Sequence, residues 1–194
     1  MRSSWDGIWL VARREFVDQF RDWRIIAPMI IMIGLFPFIA DANTREAINF
    51  MNRYGGDLIL ERLVPFVVLV IGFFPLAFTL GVALEAFVGE KERGTIEPLL
   101  NSPLTDSQIY LGKLLVGIAT PLIASYLSTG LYLALLLRRA VAFPSAYILL
   151  LILLLTFAHA VLMVSSAIII SVQATSIRAA NLLASFVVMP VAFI

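Results

Sequence analysis

From Ala146 to Val172 the chain carries no acidic or basic side chain apart from the single His159. So long an apolar run has few places to go. About 20 helical residues cross a hydrocarbon core of about 30 Å. A backbone in that medium must satisfy its N–H and C=O groups internally, as a helix does. Comparable runs lie at 63–86 and 112–137, with shorter ones at 25–40 and 179–194. Hydrophobic residues make up 61% of the chain, where a soluble domain is nearer half apolar. The expected fold is all-α: a polytopic bundle with spans at about 25–40, 63–86, 112–137, 146–172 and 179–194, forming one transmembrane domain over 1–194.

The first span holds Pro28, Gly34 and Pro37, and the second holds Pro65 and Pro75. Each proline removes a donor and kinks its helix. Neighbouring helices must then satisfy the freed carbonyls. Residues 41–62, with Asp41, Arg45, Glu46, Arg53, Asp57, Glu61 and Arg62, read as a polar connection broken by Gly55-Gly56. Arg138-Arg139 and Pro144 mark the turn between the third and fourth spans, and Gln173, Thr175, Ser176 and Arg178 the turn before the fifth.

The N-terminus mixes Trp, Arg, Asp and Glu before any apolar run, unlike a cleavable signal. Over 5–23, Trp5, Ile8, Trp9, Ala12, Phe16, Phe20 and Trp23 recur at spacings of three and four, the pattern of one helix face. Arg13, Arg14, Asp18 and Arg21 fall mostly elsewhere. Aromatics opposite arginines suit an amphipathic helix lying at the headgroup level of a lipid bilayer.

Composition also excludes. A net charge of +1 argues against nucleic acid as a partner. Without cysteine there is no disulfide, thiolate nucleophile or thiolate metal site. The single histidine builds no histidine metal site alone. Basic residues set the orientation: Arg2, Arg13, Arg14, Arg21, Arg24, Lys91, Arg93, Lys113 and Arg178 fall on one side, against Arg45, Arg53, Arg62, Arg138 and Arg139 on the other. The bias places the N-terminus and segment 89–104 in the cytoplasm.

That segment is the densest polar island in the chain. Gly94 permits a sharp turn after the charged run Glu90–Arg93. Thr95 can cap a short helix, and Glu97 in its first turn complements the helix dipole. Leu99 and Leu100 give it an apolar side, and Asn101-Ser102-Pro103 ends it. Thr105-Asp106-Ser107-Gln108 fits a capping box for the third span, with Leu104 and Ile109 placed as a hydrophobic staple. A solvated spacer needs neither the apolar Ile96, Leu99, Leu100 and Leu104 nor two helix-start signals. A partly apolar knob suits docking into a partner's groove.

The run Glu90-Lys91-Glu92-Arg93-Gly94-Thr95-Ile96-Glu97-Pro98-Leu99-Leu100, then Ser102-Pro103-Leu104, then Leu111-Gly112-Lys113-Leu114-Leu115 resembles the ABC-2 type transporter permease pattern. The resemblance covers nearly the whole chain. It implies the membrane subunit of an ABC exporter in the plasma membrane. In such a system a separate ABC ATPase subunit docks on the cytoplasmic coupling loop, and a second permease half completes a homo- or heterodimer. The docking contacts it implies are Glu90, Glu92, Arg93, Gly94, Thr95, Glu97, Leu99 and Leu100. Family members have six spans, so the five here and the apolar end at Ile194 lead us to expect a C-terminally truncated chain. There is no G-x-x-x-x-G-K-[ST] motif, and Gly112-Lys113 is followed by Leu114. The chain is therefore expected to bind no cofactor and to be no enzyme, with ATP and Mg held by the partner.

Four further residues carry open readings. Glu85, at the end of the second span, is an ion or proton site or an interfacial acid in reach of water. Ser128, Thr129 and His159 line a path, or bond between helices. They also permit a rival class, an intramembrane serine hydrolase or protease with Ser128 activated by His159. A channel or structural subunit independent of ATP is the other alternative. The hydrolase reading leaves the polar island unexplained, and a channel or structural subunit would not depend on an ATPase partner.

Overall fold

The computed structural model describes residues 4–55, 62–76, 84, 88, 94, 103–138, 143–174, 176, 178–180 and 182–183. Regular structure among them is helical. Helix α1 spans Ser4–Arg21, α2 Trp23–Tyr54, α3 Arg62–Leu76, α4 Asp106–Leu137 and α5 Ala146–Gln173. Among the described residues, the helices long and apolar enough to cross a membrane lie at Ile25–Tyr54, Asp106–Leu137 and Ala146–Ser171, and Arg62–Leu76 is a shorter apolar helix. The expected all-α membrane bundle is the fold observed. Most of the fifth expected span lies outside the described residues.

Helix limits follow from local chemistry. Asp22 separates α1 from α2, and its carbonyl accepts from Ile25 N and Ile26 N. The polar stretch from Asp41 to Tyr54 continues α2 as helix. Its exposed Arg45 reaches back one turn to Asp41 at 3.6 Å, an i,i+4 spacing that supports a helix. The helix ends where Gly55 takes φ +76° and its N–H bonds Met51 O at 2.8 Å, a left-handed glycine cap. Ser145 caps α5 through its Oγ, which accepts from Ile148 N at 3.4 Å. Ser176 does the same for the helical turn at 178–180, accepting from Ala179 N at 3.2 Å.

The chain forms two compact units. One comprises Met1–Ile26, Ala77–Pro121 and Ala160–Ile194. Its apolar core includes Leu84 and Val88 with Met163, Ala167, Ile170, Ala174 and Ala180. The other comprises Ala27–Leu76 and Leu122–His159, with a core of Val64, Val68, Ile71, Tyr132, Leu136 and Ile152.

Within the second unit, proline and serine are matched. Ser128 Oγ donates to the Met32 carbonyl of α2 at 3.3 Å, next to Ile33, whose carbonyl loses its helical donor to Pro37. In α3, Ser125 Oγ donates to Gly72 O, next to Ile71, whose carbonyl loses its helical donor to Pro75. Both serines sit on α4 and are fully buried. Each hydroxyl from α4 thus adds a donor to a carbonyl adjacent to the one its neighbouring proline frees. Gly72 permits the approach: a Cβ there would meet Thr156 Oγ1 at 3.1 Å and Thr129 Oγ1 at 3.5 Å. Thr44 Oγ1 and Tyr132 OH share a further buried bond of 2.8 Å.

Candidate coupling interface

Of the expected docking residues, Gly94 is described. It is exposed and turns at φ +65°, the left-handed conformation glycine adopts without penalty. Glu90, Glu92, Arg93, Thr95, Glu97, Leu99 and Leu100 lie outside the described residues, as does Glu85.

The exit of the segment into α4 is described in full. Thr105 N donates to Gln108 Oε1 at 3.0 Å, and Gln108 N donates to Thr105 Oγ1 at 3.4 Å. This is the reciprocal capping box expected from Thr105 and Gln108. Leu104 packs on buried Ile109, closing the expected staple, and Val11 of α1 joins the same cluster.

Helix α1 is seated along the first turns of α4. A Cβ on Gly7 would come within 2.7 Å of Gln108 Cδ. One on Gly112 would come within 2.7 Å of Val11 Cβ and 3.0 Å of Ile8 O. Further on, Lys113 Nζ lies 3.0 Å from Glu15 Oε1, with both side chains largely buried. Thr120 Oγ1 then donates to Gln19 Oε1 at 2.8 Å. Contacts advance in step along both helices, so α1 and the start of α4 run parallel.

This seam divides the aromatic stripe expected on α1. Ile8 and Ala12 are buried, whereas Trp5 and Trp9 are more than two-thirds exposed, and Trp23, expected on the same helix, begins α2 instead. The rings of Phe16 and Phe20 sit 4.5 Å apart on the same open side. Successive residues turn by about 100° in a helix of 3.6 residues per turn. Gly7, Ile8, Val11, Ala12, Glu15 and Gln19 therefore form one arc, and the large aromatics form the next. Glu15 and Gln19 were not singled out in the sequence, because an acid and an amide on an N-terminal helix read as solvated. The signal that would have found them is their i, i+4 spacing from Val11.

The remaining candidates lie in the second unit. Ser128 donates to the Met32 carbonyl. His159 stacks on Phe73, with ring centroids 4.6 Å apart and planes 11° from parallel. Thr129 is buried beside Gly72. Among the described residues Ser128 and His159 share no hydrogen bond, so their geometry gives the serine no activating base.

The ABC-2 type transporter family model matches residues 6–194. No curated protein matches the chain. The match runs from within α1 through the capped start of α4 and beyond α5, and so takes in the seam, the capping box and the apolar helices together. On that match and on this fold, the chain is a multi-pass membrane permease belonging to the ABC-2 type transporter family.

Proposed function

We propose that this permease is one half of an ATP-driven exporter, and that segment 89–104 is its docking site for a separate ABC ATPase. The carrying observation is the reciprocal cap between Thr105 and Gln108, stapled by Leu104 and Ile109. It ties the end of the segment to α4 at a defined angle, so a push on the segment is delivered to a membrane helix. Gly94 supplies a turn within the segment. The charged Glu90, Glu92 and Arg93 would pair with the ATPase surface, Thr95 and Glu97 would start the short helix, and Leu99 and Leu100 would fill a groove. ATP with its Mg would sit in the partner.

Helix α4 has 32 residues, about 48 Å at 1.5 Å each. A helix near the membrane normal spends about 30 Å in hydrocarbon, which leaves roughly twelve residues outside. The seam with α1, from Gln108 to Thr120, has that length. We place it on the cytoplasmic side of the plasma membrane, with the N-terminus inside and the Phe16–Phe20 end of α1, beside Thr120, nearest the headgroups. The apolar exposed side of α2, including Ile30, Ile31, Leu35 and Phe38, would face lipid or a second permease half.

A photoreactive amino acid at Leu99 tests the docking site in native membranes. The expected product is a crosslink to an ATP-binding polypeptide, absent when the probe is at Phe66 on α3. Equal crosslinking from both positions would remove the proposal.

A further inference from the structure

We infer that the buried Glu15–Lys113 pair is a positioning device that fixes α1 to the start of α4 so that the two move as one body. Among the described residues the apolar cluster of the seam is Val11 and Ile109 with Leu104 against them, beside buried Ile8 and Ala12. Apolar contact is non-directional and does little by itself to hold one helix at one angle to another. An ammonium and a carboxylate at 4% and 12% exposure are costly to withdraw from water, and well-packed apolar residues commonly replace such a pair with no loss of stability. Stability therefore gives no reason for the pair. What it adds is direction: a carboxylate oxygen on an ammonium at 3.0 Å, reinforced further along by the bond between Thr120 and Gln19. Gly112, next to Lys113, brings α1 close enough for the pair to form.

The stretch from Leu104 to Lys113 thus holds the end of the polar segment, the cap of α4 and the tie to α1. A displacement arriving through segment 89–104 would be shared by both helices without slip. This consequence rests on the docking reading. The positioning role of the pair does not.

The chain has no cysteine, so spin labels can be placed without a background. Labels at Leu10→Cys and Leu111→Cys, both exposed, report the separation of α1 and α4 in the full chain reconstituted in nanodiscs. The unaltered pair should give one narrow distance. Glu15→Leu with Lys113→Met should keep the thermal midpoint but broaden the distribution or add a second, longer distance. Charge reversal, Glu15→Lys with Lys113→Glu, should restore the narrow one. An unchanged narrow distance in the Leu/Met variant would overturn the inference, as would a lowered midpoint with the distance unchanged, the mark of a purely stabilising pair. If no ATPase crosslinks at Leu99, the docking reading fails and this distance result still stands or falls alone.

Discussion

At Gly112 an added methyl group has nowhere to go, since it would overlap Val11 and the Ile8 carbonyl. Gly94 presents the opposite case. Among the described residues nothing lies within 4 Å of its added Cβ, but its φ of +65° is left-handed. Gly112→Ala should therefore destabilise the chain by about 1–3 kcal/mol through overpacking, seen as a lower thermal midpoint and faster proteolysis around Asp22. Gly94→Ala should cost about 1–2 kcal/mol of local backbone strain and leave the α1 seam intact. The two are told apart by labelling α1 and α4 as above, where only Gly112→Ala should disturb the distance. The turn at Gly94 was legible in the sequence because a glycine after a charged run has a local meaning. The need for glycine at 112 was not, because it depends on a helix a hundred residues away in the chain. His159 is similar: its ring partner, Phe73, comes from another helix, and no local pattern announces it.

Among the elements, α4 was the most legible. Its start is written in Thr105-Asp106-Ser107-Gln108, and the two hydrogen bonds that this spelling implies are both present. Thr105→Ala with Gln108→Ala should cost about 1 kcal/mol and raise hydrogen exchange over the first turn of α4, with α5 unaffected. Helix α1 was only half legible. Its periodicity located an apolar side, but periodicity alone does not distinguish residues that meet another helix from residues that meet lipid. The polar continuation of α2 past Asp41 is a further instance. Charged residues suggested a connection, yet the i,i+4 pairing of Asp41 and Arg45 belongs to a helix. In the interior, Ser128→Ala should cost about 0.6 kcal/mol, the average for a hydrogen bond between membrane helices. A marked loss of folded protein in detergent would mean that Ser128 does more than serve the Met32 carbonyl.

For the whole molecule, hydrophobic run length settled the class of fold, and the ordered signature from Glu90 to Leu115 pointed to the family that the match over 6–194 bears out. What no run length carries is the side of the membrane on which each end lies. In a cysteine-free chain, Asp106→Cys should react with an impermeant maleimide only in inverted vesicles, and Tyr54→Cys only in intact cells. The reverse pattern would place segment 89–104 where no cytoplasmic ATPase reaches it. The central claim is docking, and affinity purification of the chain from gently solubilised native membranes, with bound proteins identified, tests it most directly. The account expects a stoichiometric ATPase of the ABC class that is lost when Glu97 and Leu99 are both replaced by alanine while membrane insertion is kept. An ATPase that stays bound to that variant, or a chain that purifies with none, would contradict it.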